Sequence, residues 1–183
     1  MPKTLRIFIF VIALFGVAPV ASQAKQKIQS IDNAPAGIRL FDEKQMVPEI
    51  AFEDETGRNW GFVEFQDRVV IAIFWATWCP ICFREMPKLD DLQAQYDEKK
   101  LLVVALSQDR EGAEIVKRYY AKRGLKNLKV FIDPESIMAA VIGVRGVPTT
   151  FVIDRQGRMV GVVEGGLDWN SPDVKRFLGD LLS

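Results

Sequence analysis

The stretch Val69-Val-Ile-Ala-Ile-Phe-Trp-Ala-Thr-Trp-Cys-Pro-Ile-Cys82 decides how this chain is read. Its first seven residues, Val69–Trp75, are continuously apolar and rich in β-branched side chains. That is the pattern of a strand buried on both faces. Cys79-Pro80-Ile81-Cys82 then opens a helical pattern, with Met86, Leu89, Leu92 and Tyr96 on one side and a kink expected at Pro87. A helix starting at a strand end leaves unpaired backbone N–H groups and the positive end of its dipole beside Cys79, which favours a thiolate. Pro80 fits the first helical position, where no hydrogen bond is lost. Cys82 lies one turn further in. The pair is therefore asymmetric: Cys79 is expected to be the accessible nucleophile, and Cys82 the thiol that resolves a mixed disulfide.

Working outward, Leu101–Ser107 reads as a second buried strand, Glu111–Arg123 as a helix and Leu128–Ile132 as a short strand. Asp133-Pro134 should start another helix, Asp as cap and Pro at the first position. Thr149–Ile153 and Met159–Val163, joined by Asp154-Arg155-Gln156-Gly157, predict an antiparallel hairpin. Ser171-Pro172 caps a last helix whose apolar Val174, Phe177, Leu178 and Leu181 fall at i, i+3, i+4 and i+7. Upstream, Ile50 and Phe52, the turn Glu55-Thr56-Gly57 and Arg58–Gly61 suggest a hairpin. Strands alternating with helices imply a layered α/β protein.

Composition narrows the chemistry. The 183 residues contain no histidine, which removes Ser-His-Asp triads, Cys-His dyads and His-ligated zinc or copper. Lys plus Arg equals Asp plus Glu, at 24 each, with no basic patch of the density that nucleic acid binding needs. The two cysteines lie three positions apart and would close almost no loop, so they are poor structural staples. A zinc site would need ligands from a second chain, and a c-type haem would need histidine where Phe83 stands. Peroxiredoxins place Thr three residues before the reactive Cys, where this chain has Ala76. No metal and no cofactor beyond the dithiol itself is expected.

The N-terminus reads as an export signal. Lys3 and Arg6 precede the apolar run Ile7–Val20, and Ser22-Gln-Ala24 offers a cleavage site. Residues 1–24 are thus expected to be a signal peptide or an uncleaved membrane anchor, residues 25–46 a tether, and residues 47–183 one folded domain. The expected location is periplasmic or otherwise extracytoplasmic.

Phe74-Trp75-Ala76-Thr77-Trp78-Cys79-Pro80-Ile81-Cys82, with Arg145-Gly146-Val147-Pro148-Thr149 far downstream, resembles the thioredoxin superfamily. Within it, Cys79, Cys82, Glu85 and Pro87 (C-x-x-C-x-x-E-x-P) resemble the TlpA/ResA/CcmG group of membrane-tethered or periplasmic reductases over roughly residues 46–182. The helix and strand at 111–132 look like that group's central insertion, and Gly165–Trp169 is similar to TlpA-like proteins. The resemblance implies a thioredoxin-like α/β fold: a mixed central sheet flanked by helices, with an N-terminal β-hairpin and a central helix–strand insertion. It implies a cis Val147–Pro148 bond facing the disulfide, with the Val147 backbone presented to an extended client. Two departures stand out. Proline follows the first Cys, as in CcmG, rather than preceding the second. Ile73 occupies the position of thioredoxin's buried Asp, which leaves Glu85 as the candidate proton carrier.

The expected site therefore comprises Cys79, Cys82 and Glu85 as catalytic residues, with Trp78, Pro80, Ile81, Val147 and Pro148 as the client-binding surface. Trp75 reads as core, and Trp169 as an anchor. Ile81 stands where strong oxidants of the DsbA type carry a histidine, so the residue argues for a reductase. A disulfide-forming oxidase or isomerase, or a binding module on the same fold, is the alternative. The partners implied by the resemblance are disulfide-bearing clients, apocytochrome c or copper-site proteins, and a transmembrane thiol donor of the CcdA or DsbD kind.

Overall fold

The computed structural model describes residues 34–183. The export signal and the first part of the expected tether lie outside the described residues. Eight strands form one mixed sheet: β1 (Arg39–Met46), β2 (Phe52–Asp54), β3 (Asn59–Trp60), β4 (Val69–Trp75), β5 (Leu101–Ser107), β6 (Phe131–Ile132), β7 (Thr149–Ile153) and β8 (Arg158–Glu164). Among the described residues four α-helices accompany them: α1 (Cys82–Gln95), α2 (Ala113–Arg123), α3 (Ile137–Ile142) and α4 (Pro172–Leu182). The spatial order is β1-β8-β7-β4-β5-β6-β2-β3. β4–β5 and β5–β6 pair in parallel, and the other neighbours are antiparallel.

The two unbroken apolar runs became the two central strands. β4 and β5 pair from Val69↔Leu101 to Trp75↔Ser107, and every residue of both is buried. Alternation along β4 divides the core in two. Ile71, Ile73 and Trp75 pack with Met86, Leu89 and Leu92 of α1, Val116 and Tyr120 of α2, and Val174, Phe177 and Leu178 of α4. Val70, Ala72 and Phe74 face the other side, against Phe52, Phe62, Phe65, Phe131, Phe151 and Met138. Each face is sealed, so β4 can deliver Cys79 at its C-terminal end without exposing its own flanks. The expected hairpins are present as β2–β3, paired Phe52↔Trp60, and as β7–β8. Ser171 Oγ accepts from Val174 N and caps α4 as expected.

Three boundaries are corrected. Arg39–Met46, placed in the tether, is β1, paired antiparallel with β8 at the sheet edge. Its side chains are mostly exposed, so it carries little apolar periodicity; backbone pairing holds it, with Leu40 and Phe41 packed against the core and Phe41 stacked on Phe151. The ordered domain therefore begins before residue 47. The strand expected at Leu128–Ile132 is reduced to Phe131–Ile132. The helix expected from Asp133-Pro134 starts at Ile137. Asp133 still caps it from a distance, its carboxylate accepting from Met138 N at 3.2 Å and Ala139 N at 2.9 Å.

Candidate active site

Cys79 and Cys82 form a disulfide at the junction of β4 and α1. β4 ends at Trp75; Ala76–Thr77–Trp78 crosses to Cys79, and the helical hydrogen bonds begin with Phe83 N to Cys79 O. Cys82 N–H lies 3.2 Å from Cys79 Sγ. That donor would stabilise negative charge on this sulfur when the bond opens. On the other side of the sulfur stands the Val147 carbonyl oxygen, at 3.6 Å. The Val147–Pro148 bond is cis, as the resemblance implied.

The exposure of Cys79 differs from the expectation. Cys79 is 3% exposed and Cys82 0%, so both sulfurs are nearly covered in this oxidised form. What is open is the rim: Trp78 is 65% exposed and Ile81 43%, and Pro80 is also exposed. Val147 is half-buried and Pro148 buried. Trp78, Pro80 and Ile81 adjoin the cysteines along the chain, and the Val147 carbonyl, next to Pro148, stands at Cys79 Sγ, so an exposed apolar rim borders a covered sulfur. Trp75 is fully buried, as expected.

Glu85 is 1% exposed, one turn beyond Cys82. Its Oε1 accepts from Leu167 N at 2.9 Å and from Trp169 Nε1 at 2.6 Å, and Oε2 faces Lys88 Nζ at 3.5 Å. Lys88 Nζ also donates to the Leu167 carbonyl at 3.2 Å. Glu85 is therefore the clamp that ties the Gly165–Trp169 loop to α1. Trp169, expected only as an anchor, is an anchor to this carboxylate. Close approach explains Gly166: a Cβ there would lie 2.8 Å from Glu85 Oε2. The same loop reaches the cis proline, since Gly165 N donates to the Pro148 carbonyl at 2.9 Å. A continuous ring of contacts thus runs from Cys79 through Val147, Pro148, the 165–169 loop and Glu85 back to α1.

A second buried carboxylate was not singled out from the sequence. Asp109, 1% exposed, accepts from Thr77 N at 2.9 Å, Thr77 Oγ1 at 2.6 Å and Ser107 Oγ at 2.7 Å. It fixes the loop that carries Cys79 to the end of β5. The only sequence signal was a polar Ser107-Gln108-Asp109 at the exit of a buried strand. On the far side, Phe83 stacks on Tyr119 at 6.0 Å, and Trp75 packs against Tyr119 and Tyr120 at 5.1 and 5.8 Å between ring centroids. Burial pushes the Tyr119 hydroxyl above its ordinary value, with the nearby Arg123 opposing the shift.

Chemically, the arrangement is a cysteine pair, here joined as a disulfide, whose outer sulfur faces a helix N-terminus and a backbone carbonyl, beside an apolar rim. It can open and re-form a disulfide. Comparisons with known proteins agree. Residues 42–179 match the family model described as Redoxin. The thiol-disulfide oxidoreductase ResA of Geobacillus thermodenitrificans is 28% identical over 145 residues, covering 76% of this chain and 81% of the relative. The ResA of Bacillus thuringiensis strain Al Hakam is 33% identical over 118 residues, covering 64% and 67%. Among solved structures, the thiol:disulfide interchange protein DsbE from Chlorobium tepidum superposes with a TM-score of 0.68 at 26% identity, covering 78% of this chain and 99% of the other.

Proposed function

We propose that this chain, which belongs to the Redoxin family and is a TlpA/ResA/CcmG-like thiol–disulfide oxidoreductase, works outside the cytoplasm as a reductase of client-protein disulfides. The observation that supports it most is the Cys79–Cys82 disulfide, with the Cys82 N–H aimed at Cys79 Sγ.

In the reduced form Cys79 acts as thiolate and attacks one sulfur of the client disulfide. The Cys79–client bond forms, the client S–S bond breaks, and the leaving thiolate takes a proton. Cys82 then loses its proton and attacks Cys79 Sγ. The mixed disulfide breaks, the client leaves as a dithiol, and the Cys79–Cys82 disulfide returns. Two electrons pass to the client, and a membrane dithiol donor of the CcdA or DsbD kind restores them. Glu85 is the nearest carboxylate along α1 to serve as proton carrier for Cys82. Trp78, Pro80 and Ile81 provide the apolar landing surface, and Val147 a backbone carbonyl for an extended client segment. No cofactor beyond the dithiol is required. Apocytochrome c and copper-site proteins are the proposed clients.

The export signal at residues 1–24, cleaved after Ala24 or retained as an anchor, would place the site there. Among the described residues no helix is long and apolar enough to cross a membrane. Equilibration with a glutathione buffer tests the direction of electron flow. A potential on the order of −200 to −300 mV is expected, and one near about −120 mV would make the protein an oxidase. Trapping with Cys82→Ser in the native compartment identifies the client through its mixed disulfide with Cys79.

A further inference from the structure

From Ile115 to Ile132 the chain has six basic residues and no acidic one, against an overall balance of 24 and 24. Lys117 pairs with Glu114, and Lys129 with Glu98. The remaining four, Arg118, Lys122, Arg123 and Lys126, are exposed, and none forms an ion pair among the described residues. Arg118 and Lys122 stand one turn apart on α2, so their charges share a face. The acidic residues just upstream are Glu111, before the helix, and Glu114, in its first turn, at the end away from Arg123.

Cations in the last turn of a helix complement its dipole, which accounts for the presence of Lys122 and Arg123. It does not account for where Arg123 is held. Its guanidinium lies 4.8 Å from the Phe83 ring centroid and 5.7 Å from that of Tyr119. Phe83 directly follows Cys82 and stacks on Tyr119. A guanidinium over two aromatic faces gains cation–π attraction and loses rotamer freedom in advance. The end of α2 is itself fixed to α1, because Asp90 Oδ1 accepts from the backbone N–H groups of Lys126, Asn127 and Leu128. A preorganised positive charge is thus held beside the residue next to the inner cysteine, and an unpaired cationic face leads away from it.

We propose that this face of α2, with Arg123 at its inner end, docks an acidic segment flanking the client's disulfide. Carboxylates on the client would meet Arg123 first, and Arg118, Lys122 and Lys126 further out. This rests on the reductase reading. The apolar rim at Trp78 and Ile81 accepts any extended chain, whereas the α2 face selects among clients by charge.

The test uses the reduced full chain and disulfide-closed peptides of one ring sequence, flanked by Glu, Ser or Lys. At low ionic strength the Glu-flanked peptide should be opened about tenfold faster than the Ser-flanked one, and the gap should close at high salt. Arg123→Gln should bring the ratio of the two rates close to one, and Arg123→Lys should retain part of it. If Arg123→Gln loses its fold with the stack on Phe83, the exposed triple variant Arg118→Gln, Lys122→Gln, Lys126→Gln reads the same ratio. Equal rates for all three peptides, or a preference that survives these variants, would overturn the docking proposal and leave the reductase reading intact. Failure to open any peptide, with dithiothreitol opening all of them, would remove the reductase reading and the docking proposal together.

Discussion

Two sets of buried polar groups surround the disulfide, and they are held in opposite ways. Glu85 and Asp109 are carboxylates held by short directional bonds: five uncharged donors lie within 2.9 Å of them, from Leu167 and Trp169 on one and from Thr77 and Ser107 on the other. Trp75 Nε1 and the hydroxyls of Tyr119 and Tyr120 are also buried but have no partner in the protein, and ring packing holds these residues instead. The carboxylates fix loops, the one bearing Cys79 and the one bonded to Pro148. A loop has no periodic backbone bonding of its own, so directional side-chain bonds must place it. The aromatic groups lie on β4 and α2, whose backbones are already bonded, so contact area suffices there. The difference is between positioning by direction and positioning by area.

Within the first set the two carboxylates differ as well. Asp109 is tied by three bonds of 2.6 to 2.9 Å from uncharged donors. Glu85 keeps one oxygen whose nearest donor is the half-exposed Lys88 at 3.5 Å. Asp109 is thus a positioning residue, while Glu85 combines positioning with an oxygen less fully committed.

The largest effect should come from Asp109→Ala. It removes the acceptor of two half-buried Thr77 donors and of the buried Ser107 hydroxyl, and should cost about 3 kcal/mol in urea denaturation, with slower disulfide exchange. A loss below about 1 kcal/mol would show that direction is not what holds this loop. Gly166→Ala forces a methyl group against Glu85 Oε2 and should cost about 2 kcal/mol. Unchanged stability there would mean that the 165–169 loop gives way freely, and that Glu85 does not clamp it.

Glu85→Gln separates the two carboxylates by function. The fold should persist, since an amide oxygen still accepts, while disulfide exchange slows about tenfold or more with a changed pH profile. Stopped-flow rates between about pH 5 and about pH 9 measure it. Superimposable profiles for the two proteins would reduce Glu85 to the same positioning task as Asp109.

The smallest effect belongs to the aromatic set. Tyr120→Phe removes a hydroxyl without a protein partner, so stability at neutral pH should be unchanged or higher by about 1 kcal/mol at most. Burial, with Asp90 and Tyr119 adding to it, raises the Tyr120 pKa far above the ordinary 10.0. Above that pH the unfolded chain releases this proton and the folded chain keeps it, so stability falls as pH rises. Tyr120→Phe should lessen the alkaline fall measured by urea denaturation. A clear loss at neutral pH would show that this hydroxyl is held by a directional bond after all.

The sequence by itself determined the elements whose signal is local. Two unbroken apolar runs can be satisfied only as strands covered on both faces, and they are β4 and β5. The i, i+3, i+4, i+7 pattern after Ser171-Pro172 is α4, with the buried side expected. The dithiol at a strand end was legible because spacing and residue type carry that chemistry, whereas Pro148 opposite it was implied by the family resemblance alone. Tertiary structure decided what depends on partners far along the chain. β1 became a strand because β8 offered it an edge, though its side chains are mostly exposed. α3 began late because Asp133 reaches past a turn to its N–H groups. Cys79 was expected to be accessible, and the surrounding loops cover it. Asp109 and Glu85 acquired their roles from donors 32 to 84 residues distant. A hydrogen bond closing so long a loop leaves no periodicity at either end, so only the folded chain shows which carboxylate meets which loop.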